Sequence, residues 1–229
     1  MKIILALLVL IGGAWALLLY KPELYFGKSV EYKGFALLAR GETPAGYEPA
    51  LDAARERLTA SEFFKEDSTF RLALVSGPGE FKFFAPFQEG EYFRVSPLSG
   101  VIFLAAADFK TNEARPAYGT GAPRPISQLI AAAAAVDLVR RGREKLAFMS
   151  MKSWLLEGYG ERISGGTGAY EPHDACGDVS GDPNLRSYKY GLMLDTVLRE
   201  EGVGYGDLLN RNYGEEGAEA RMRKVHCGG

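Results

Sequence analysis

The pattern of apolar and charged positions divides the chain near Pro22. From Ile3 to Tyr20 no charged side chain occurs, with Lys2 before the run and Lys21-Pro22 after it. As a helix this run spans roughly 27 Å, close to a hydrocarbon core of about 30 Å. It has no polar face of the kind a helix packed on a soluble core carries. Residues 1–22 are therefore expected to form a signal anchor that stays in the membrane, with the rest of the chain outside the cytoplasm. Ala14-Trp15-Ala16 offers a small-x-small site for the alternative, a cleaved signal peptide. Cleavage there would leave Leu17-Leu18-Leu19-Tyr20 as an apolar stub.

Beyond Pro22 the periodicity shortens. Val30 to Arg40 predicts a strand, and Thr69 to Val75 predicts another through the alternation of Phe70, Leu72 and Leu74. Glu91–Val95 and Val101–Ala105 are two further strands, divided by Pro97 and Gly100. Tyr47 to Ala60 predicts an amphipathic helix, since Leu51, Ala54 and Leu58 recur at helical spacing. Lys110–Pro125 predicts a loop. Four more helices are expected over Ser127–Arg141, Lys152–Ile163, Asn184–Glu201 and Glu215–Val225, with a loop over Gly165–Pro183. Strands precede helices, which predicts an α+β fold rather than alternating β-α-β units. The 229 residues suit one such domain, over 30–225, behind the anchor.

Charge and composition narrow the functions. The 27 basic and 29 acidic residues leave a net charge of −2, without the basic field that nucleic-acid binding needs. Two cysteines without a CxxC pair and two histidines exclude a cysteine-rich zinc site and any imidazole-rich metal site. Outside the cytoplasm Cys176 and Cys227 can pair as a disulfide or remain two buried thiols. His226, beside Cys227 at the C-terminus, is expected in solvent. Ser164-Gly165-Gly166-Thr167-Gly168 comes after a helix and lacks a Gly-Lys-Ser/Thr sequence, so it predicts a linker rather than a phosphate cradle.

The segment Ser127–Arg141 reads SQLIAAAAAVDLVRR. Leu129, Ala132, Ala133, Val136 and Val139 share a face, and the alanines combine high helix propensity with small size. Taken alone, it is a helix packed closely against its neighbours. The next long helix changes the weighing: Ser153-Trp154-Leu155-Leu156-Glu157-Gly158-Tyr159-Gly160-Glu161 resembles the second helix of gluzincin-type metallopeptidases. There a first helix carries His-Glu-x-x-His, whose two imidazoles bind zinc while the Glu activates a bound water, and a carboxylate from the next helix completes the protein ligands. The chain is most similar to small membrane-anchored bacterial proteins with a zincin-like domain, in which a segment like Arg124-Pro125-Ile126-Ser127 leads into the His-Glu-x-x-His helix. Tyr188-Lys189-Tyr190-Gly191-Leu192, Gly206-Asp207-Leu208-Leu209 and Glu215-Glu216-Gly217-Ala218 resemble the downstream part of such domains. Val101-Ile102-Phe103-Leu104 resembles the sheet and its edge strand beside the cleft.

Aligned on that segment, the first His falls at Ala132, the Glu at Ala133 and the second His at Val136. Only the third-ligand position, Glu157, keeps a metal-binding side chain. The resemblance thus implies a zincin-like domain without catalytic residues, metal or cofactor: a periplasmic pseudopeptidase tied to the membrane by its N-terminal helix. Its former active-site cleft would take a peptide or protein partner against an edge strand, with Phe103, Trp154, Glu157 and Tyr159 as binding residues. Two other readings stand beside it. One is a hydrolase with a non-standard metal site built on Glu157 and loop groups around His173. The other is a structural subunit of a membrane complex in which the cleft has closed and Ala132 and Val136 are packed.

Overall fold

Side-chain alternation along short strands builds the sheet on which the rest of the chain packs. A computed structural model describes residues 2–85, 92–118, 121–166, 168–211 and 213–228, without the side chains of Lys2, Ile3 and Lys28. The elements run α1 (Lys2–Tyr20), α2 (Glu23–Phe26), β1 (Lys28–Tyr32), β2 (Phe35–Ala39), α3 (Glu48–Leu58), β3 (Phe70–Leu74), α4 (Pro78–Phe84), β4 (Phe93–Val95) and β5 (Ile102–Leu104). Then come β6 (Ala107–Asp108), β7 (Glu113–Ala114), β8 (Arg124–Pro125), α5 (Ile126–Arg141), α6 (Lys145–Met149), α7 (Ser153–Ser164), α8 (Pro183–Glu201), α9 (Tyr205–Leu208) and α10 (Glu215–His226). The chain is α+β. Met1 of the expected anchor, Glu91 of the expected strand, Gly119 and Thr120 of the expected loop and Thr167 of the glycine-rich segment lie outside the described residues.

The main sheet has the order β1-β2-β3-β5-β4, with β2, β3 and β5 parallel and both outer strands antiparallel to their neighbours. The segment expected as one strand over Val30–Arg40 is a hairpin. Lys33 and Gly34 both adopt positive φ, 43° and 84°, which is what a two-residue turn between twisted strands demands. A Cβ at Gly34 would lie 2.8 Å from the Ser68 carbonyl oxygen, so glycine is required there by space as well as by φ. The strand expected at the sheet's edge, Val101–Leu104, is β5 and is paired on both sides; β4 forms the edge instead. The expected loop over 110–125 contains β7 and β8, which join β6 in a second small sheet. The short helices α2, α4, α6 and α9 have no counterpart in the sequence pattern, because four to seven residues cannot establish a helical period.

Two cores arise from the pleat. Phe35, Leu37, Phe70, Leu72, Ile102 and Leu104 face α3, α5, α7 and α8. Leu38, Ala73 and Phe103 face the other way, onto Phe26 of α2 and Phe81 and Phe84 of α4. Helix α5 is buried along its whole length from Ile126 to Val139. Its one carboxylate there, Asp137, is held by Arg140 at 2.7 Å and by Arg141. Helices α5, α7 and α8 meet through small residues: a Cβ at Gly160 would stand 3.3 Å from the Ala132 Cβ, and one at Gly158 would stand 2.6 Å from the Tyr190 carbonyl oxygen. Asp182 starts α8 by accepting from the backbone N–H groups of Asn184 and Leu185 at 2.9 and 3.3 Å.

The N-terminal helix α1 is 19 residues long, and Ile4 to Ile11 stand largely exposed along it. Among the described residues, which omit the first side chains of α1, no helix is long and apolar enough to cross a membrane.

The Gly158 contact sets a test of the helix packing. Gly158→Ala should lower the unfolding free energy by about 1–3 kcal/mol, because the obstruction is backbone and α7 and α8 must part. Gly217→Ala, in open space on α10, should be neutral or stabilising by up to about 1 kcal/mol. Urea unfolding of the full chain in detergent measures both.

Candidate binding cleft

Strand β4 is short, and its register decides which backbone groups are free. Tyr92 accepts from the Ala105 N–H and Ser96 donates to the Val101 carbonyl, both at 2.8 Å, and Arg94 lies opposite Phe103. In an antiparallel ladder inward-bonding residues alternate with outward-facing ones. Residues 92, 94 and 96 bond inward to β5, so the N–H and C=O of Phe93 and Val95 point away from it.

On that side lies a cleft of about 360 Å³, bounded by β4, by Leu129 and Val136 of α5, by Phe148 and Met149 of α6, and by Leu156 and Glu157 of α7. Its wall is largely apolar. Glu157 is an exception: its carboxylate is 27% exposed and accepts from Arg186 Nε of α8 at 3.3 Å. Burial raises its pKa above the usual carboxylate value, and the Arg186 guanidinium pulls the other way.

Arg124 also lines the cleft, and its guanidinium donates to Glu161 at 2.8 Å with both side chains almost completely buried. Arg124 Nε and Glu161 Oε1 have no hydrogen-bond partner among the described residues. Nearby, Tyr92 and Asn184 both donate to the Ala122 carbonyl. Sequence reasoning missed this pair, whose members lie 37 positions apart. The available signal was Glu161 itself, one helical turn after Glu157 and so on the same side of α7.

Of the residues singled out from the sequence, the structure brings Val136 and Glu157 together in the cleft. Ala132 is covered by α7 at Gly160, and Ala133 is enclosed in the main core. Trp154 is fully buried, with its indole N–H unpartnered among the described residues. Tyr159 is buried away from the cleft, where its hydroxyl shares a 2.7 Å hydrogen bond with Ser61 and its ring stacks on Tyr205 at 4.0 Å. Burial pushes the Tyr159 hydroxyl up to about 12. Phe103 points to the opposite face of the sheet and stacks on Phe84 at 4.7 Å. His173 is exposed beside Asp174, at 3.3 Å from its carboxylate. His226, expected in solvent, is half-buried, because a disulfide from Cys176 to Cys227 ties the end of α10 to the 165–182 segment.

The donor set does not fit zinc. Ala132 and Val136 offer no lone pair, Glu157 is engaged by Arg186, and among the described residues no three His, Cys, Asp or Glu side chains converge on a common point.

No family model, curated protein or solved structure matches this chain.

Arg124→Met leaves the Glu161 carboxylate buried without its partner and should cost about 3–5 kcal/mol. Arg124→Met with Glu161→Met should recover most of that loss, since two apolar side chains replace two desolvated charges. Equilibrium unfolding of the two variants measures the difference, and equal losses would show that the pair is not coupled.

Proposed function

We propose that this chain is a membrane-anchored, extracytoplasmic domain of zincin-like architecture that lacks a working metal site and binds an extended peptide or protein segment in the cleft beside β4. The observation that carries the reading is the outer edge of β4, unpaired among the described residues, where Phe93 and Val95 turn backbone donors and acceptors toward an apolar trough. Such an edge adds a strand by main-chain hydrogen bonds, while pockets select alternate side chains. Val136, Leu129 and Met149 supply an apolar wall, and the Glu157–Arg186 pair supplies one acidic and one basic group.

Several features support the architecture. An antiparallel edge strand lies beside the helix that aligns with His-Glu-x-x-His, and the helix bearing Glu157 packs across it. The anchor is supported by α1, whose side chains between Lys2 and Lys21 include no charge. The disulfide supports an oxidising compartment for the domain. Alanine and valine stand at the positions where such peptidases carry the metal ligands and the base.

Selection of a displayed random-peptide library on the full chain in detergent tests the reading. Peptides should enrich, and their affinity should fall roughly tenfold with Val95→Pro, which removes one outward N–H without touching the β4–β5 ladder. Enrichment that Val95→Pro leaves unchanged would sink the edge-strand reading, provided circular dichroism shows the variant folded. The hydrolase reading has a separate check: chain purified without an affinity tag should hold well under about one equivalent of zinc. A full equivalent lost in Glu157→Ala would reinstate that reading.

A further inference from the structure

The end of α1 is gripped by the domain. Trp15, Leu18 and Leu19 are partly covered, while Leu17 and the described side chains before Trp15 are exposed. That spacing, i, i+3, i+4, is one stripe of a helix. Trp15 Nε1 donates to the Phe83 carbonyl of α4 at 2.8 Å, and Ser99 Oγ donates to the Leu19 carbonyl at 2.8 Å. Leu18 and Leu19 pack on the second core beside Phe26, Phe84 and Phe103. Arg71 ties the same corner together, with Glu23 at 2.7 Å and the Ser99 carbonyl at 2.6 Å. Gly100, which closes the turn after Ser99 at φ 70°, sits against Arg140 and Asp137 of α5, so the grip is braced from the main core.

This places part of the domain alongside the helix rather than beyond its end. Trp15 lies five residues before Tyr20, about 7–8 Å back along the axis. At that level α4 turns Phe81 and Phe84 inward and leaves Phe83 42% exposed. Leu98, next to Ser99, is 38% exposed, and Leu24, one turn past the helix, is 63% exposed. Exposed Lys82 beside Phe83 has an apolar stem and a charged head, the combination that suits the boundary between acyl chains and headgroups.

We propose that Phe83, Leu98 and Leu24 form a lipid-contacting collar around α1 that seats the domain on the bilayer surface in a fixed orientation. The inference rests on the reading of α1 as a membrane anchor. Its occupant is the bilayer itself, because the collar is continuous with the apolar surface of α1 and lies at the depth where interfacial segments insert, about 5–10 Å into the headgroup and acyl boundary. Pro97 lines the binding cleft and Ser99 holds Leu19, so the collar also fixes one rim of the cleft near the headgroups.

The test uses the full chain in phosphatidylcholine–phosphatidylglycerol vesicles, with Cys176 and Cys227 kept oxidised. Phe83→Cys, Leu98→Cys and, as a control on α10, Lys224→Cys each carry a polarity-sensitive fluorophore, and lipids bearing a nitroxide near the carbonyl quench it. Labels at 83 and 98 should lose roughly half their emission while the label at 224 is nearly unaffected, as interfacial depth requires. If Phe83→Cys does not fold, Leu98→Cys gives the same readout. A chain that resists alkaline carbonate but shows no quenching at 83 or 98 overturns the seating and leaves the anchor standing. A chain released by carbonate overturns both.

Discussion

The arrangement of the domain depends on the enclosure of α5, which has the sheet on one side and α3 and α7 on others, so that none of its residues from Ile126 to Val139 reaches solvent freely. A helix in that position needs short side chains wherever a neighbour crosses it. The five alanines meet that need, and the glycines of α7 extend it, because Ala132 against Gly160 and Gly158 against the Tyr190 carbonyl bring three helices closer than larger side chains would allow. The distance between packed helices is set by the side chains at their contact. One turn along α5 from Ala132, Val136 lines the cleft together with Leu156 and Glu157 of α7.

Buried charge marks the two ends of this layer. Asp137 near the C-terminus of α5 is neutralised by Arg140 and Arg141 from its own last turn, and Arg141 also donates to the Thr69 carbonyl. At the other end Arg124 of β8, just before α5, meets Glu161 of α7. A buried pair adds little to net stability against an apolar replacement, yet it strongly disfavours any arrangement that separates its members. The Arg124–Glu161 pair therefore acts less as a source of stability than as a definition of how the start of α5 lies against α7, whereas the Asp137 pairs are internal to α5 and reach the sheet through the Arg141 bond to the Thr69 carbonyl.

Much of this was legible in the sequence. The period-2 pattern of Phe70, Leu72 and Leu74 located β3, although Ala73 buries the other face of that central strand as well, and the spacing of Leu51, Ala54 and Leu58 located α3, whose buried residues lie on one face. The hairpin at Lys33-Gly34 was hidden because Val30 and Tyr32 run into Phe35–Ala39 with only two residues between them, and because a lysine stands at a position more often held by Asn or Asp. At the cleft, helical spacing put Val136 on one face with Leu129, while Glu157 was singled out only by the resemblance of its helix to the second helix of gluzincin-type metallopeptidases. The burial of Ala132, by contrast, depends on how far α7 approaches, which Gly160 controls from another element. Tyr159 and Phe103 face away for a related reason: periodicity tells which residues share a face, and the packing partner decides which face meets the cleft. For the Arg124–Glu161 pair the sequence offered only the position of Glu161 one turn after Glu157, and nothing local pointed to its partner 37 positions away.

The disulfide closes a ring. Cys176 and Cys227 are 51 positions apart, and α8, α9 and α10 all lie between them. A single break of the backbone anywhere inside that ring, including the connection between α8 and α10, leaves both fragments covalently joined. Helix α10 thus keeps its tie to the domain after a cut that would otherwise free it. Nicking becomes an event that a reducing agent reveals and that the folded surface can tolerate, a useful property wherever proteases share the compartment.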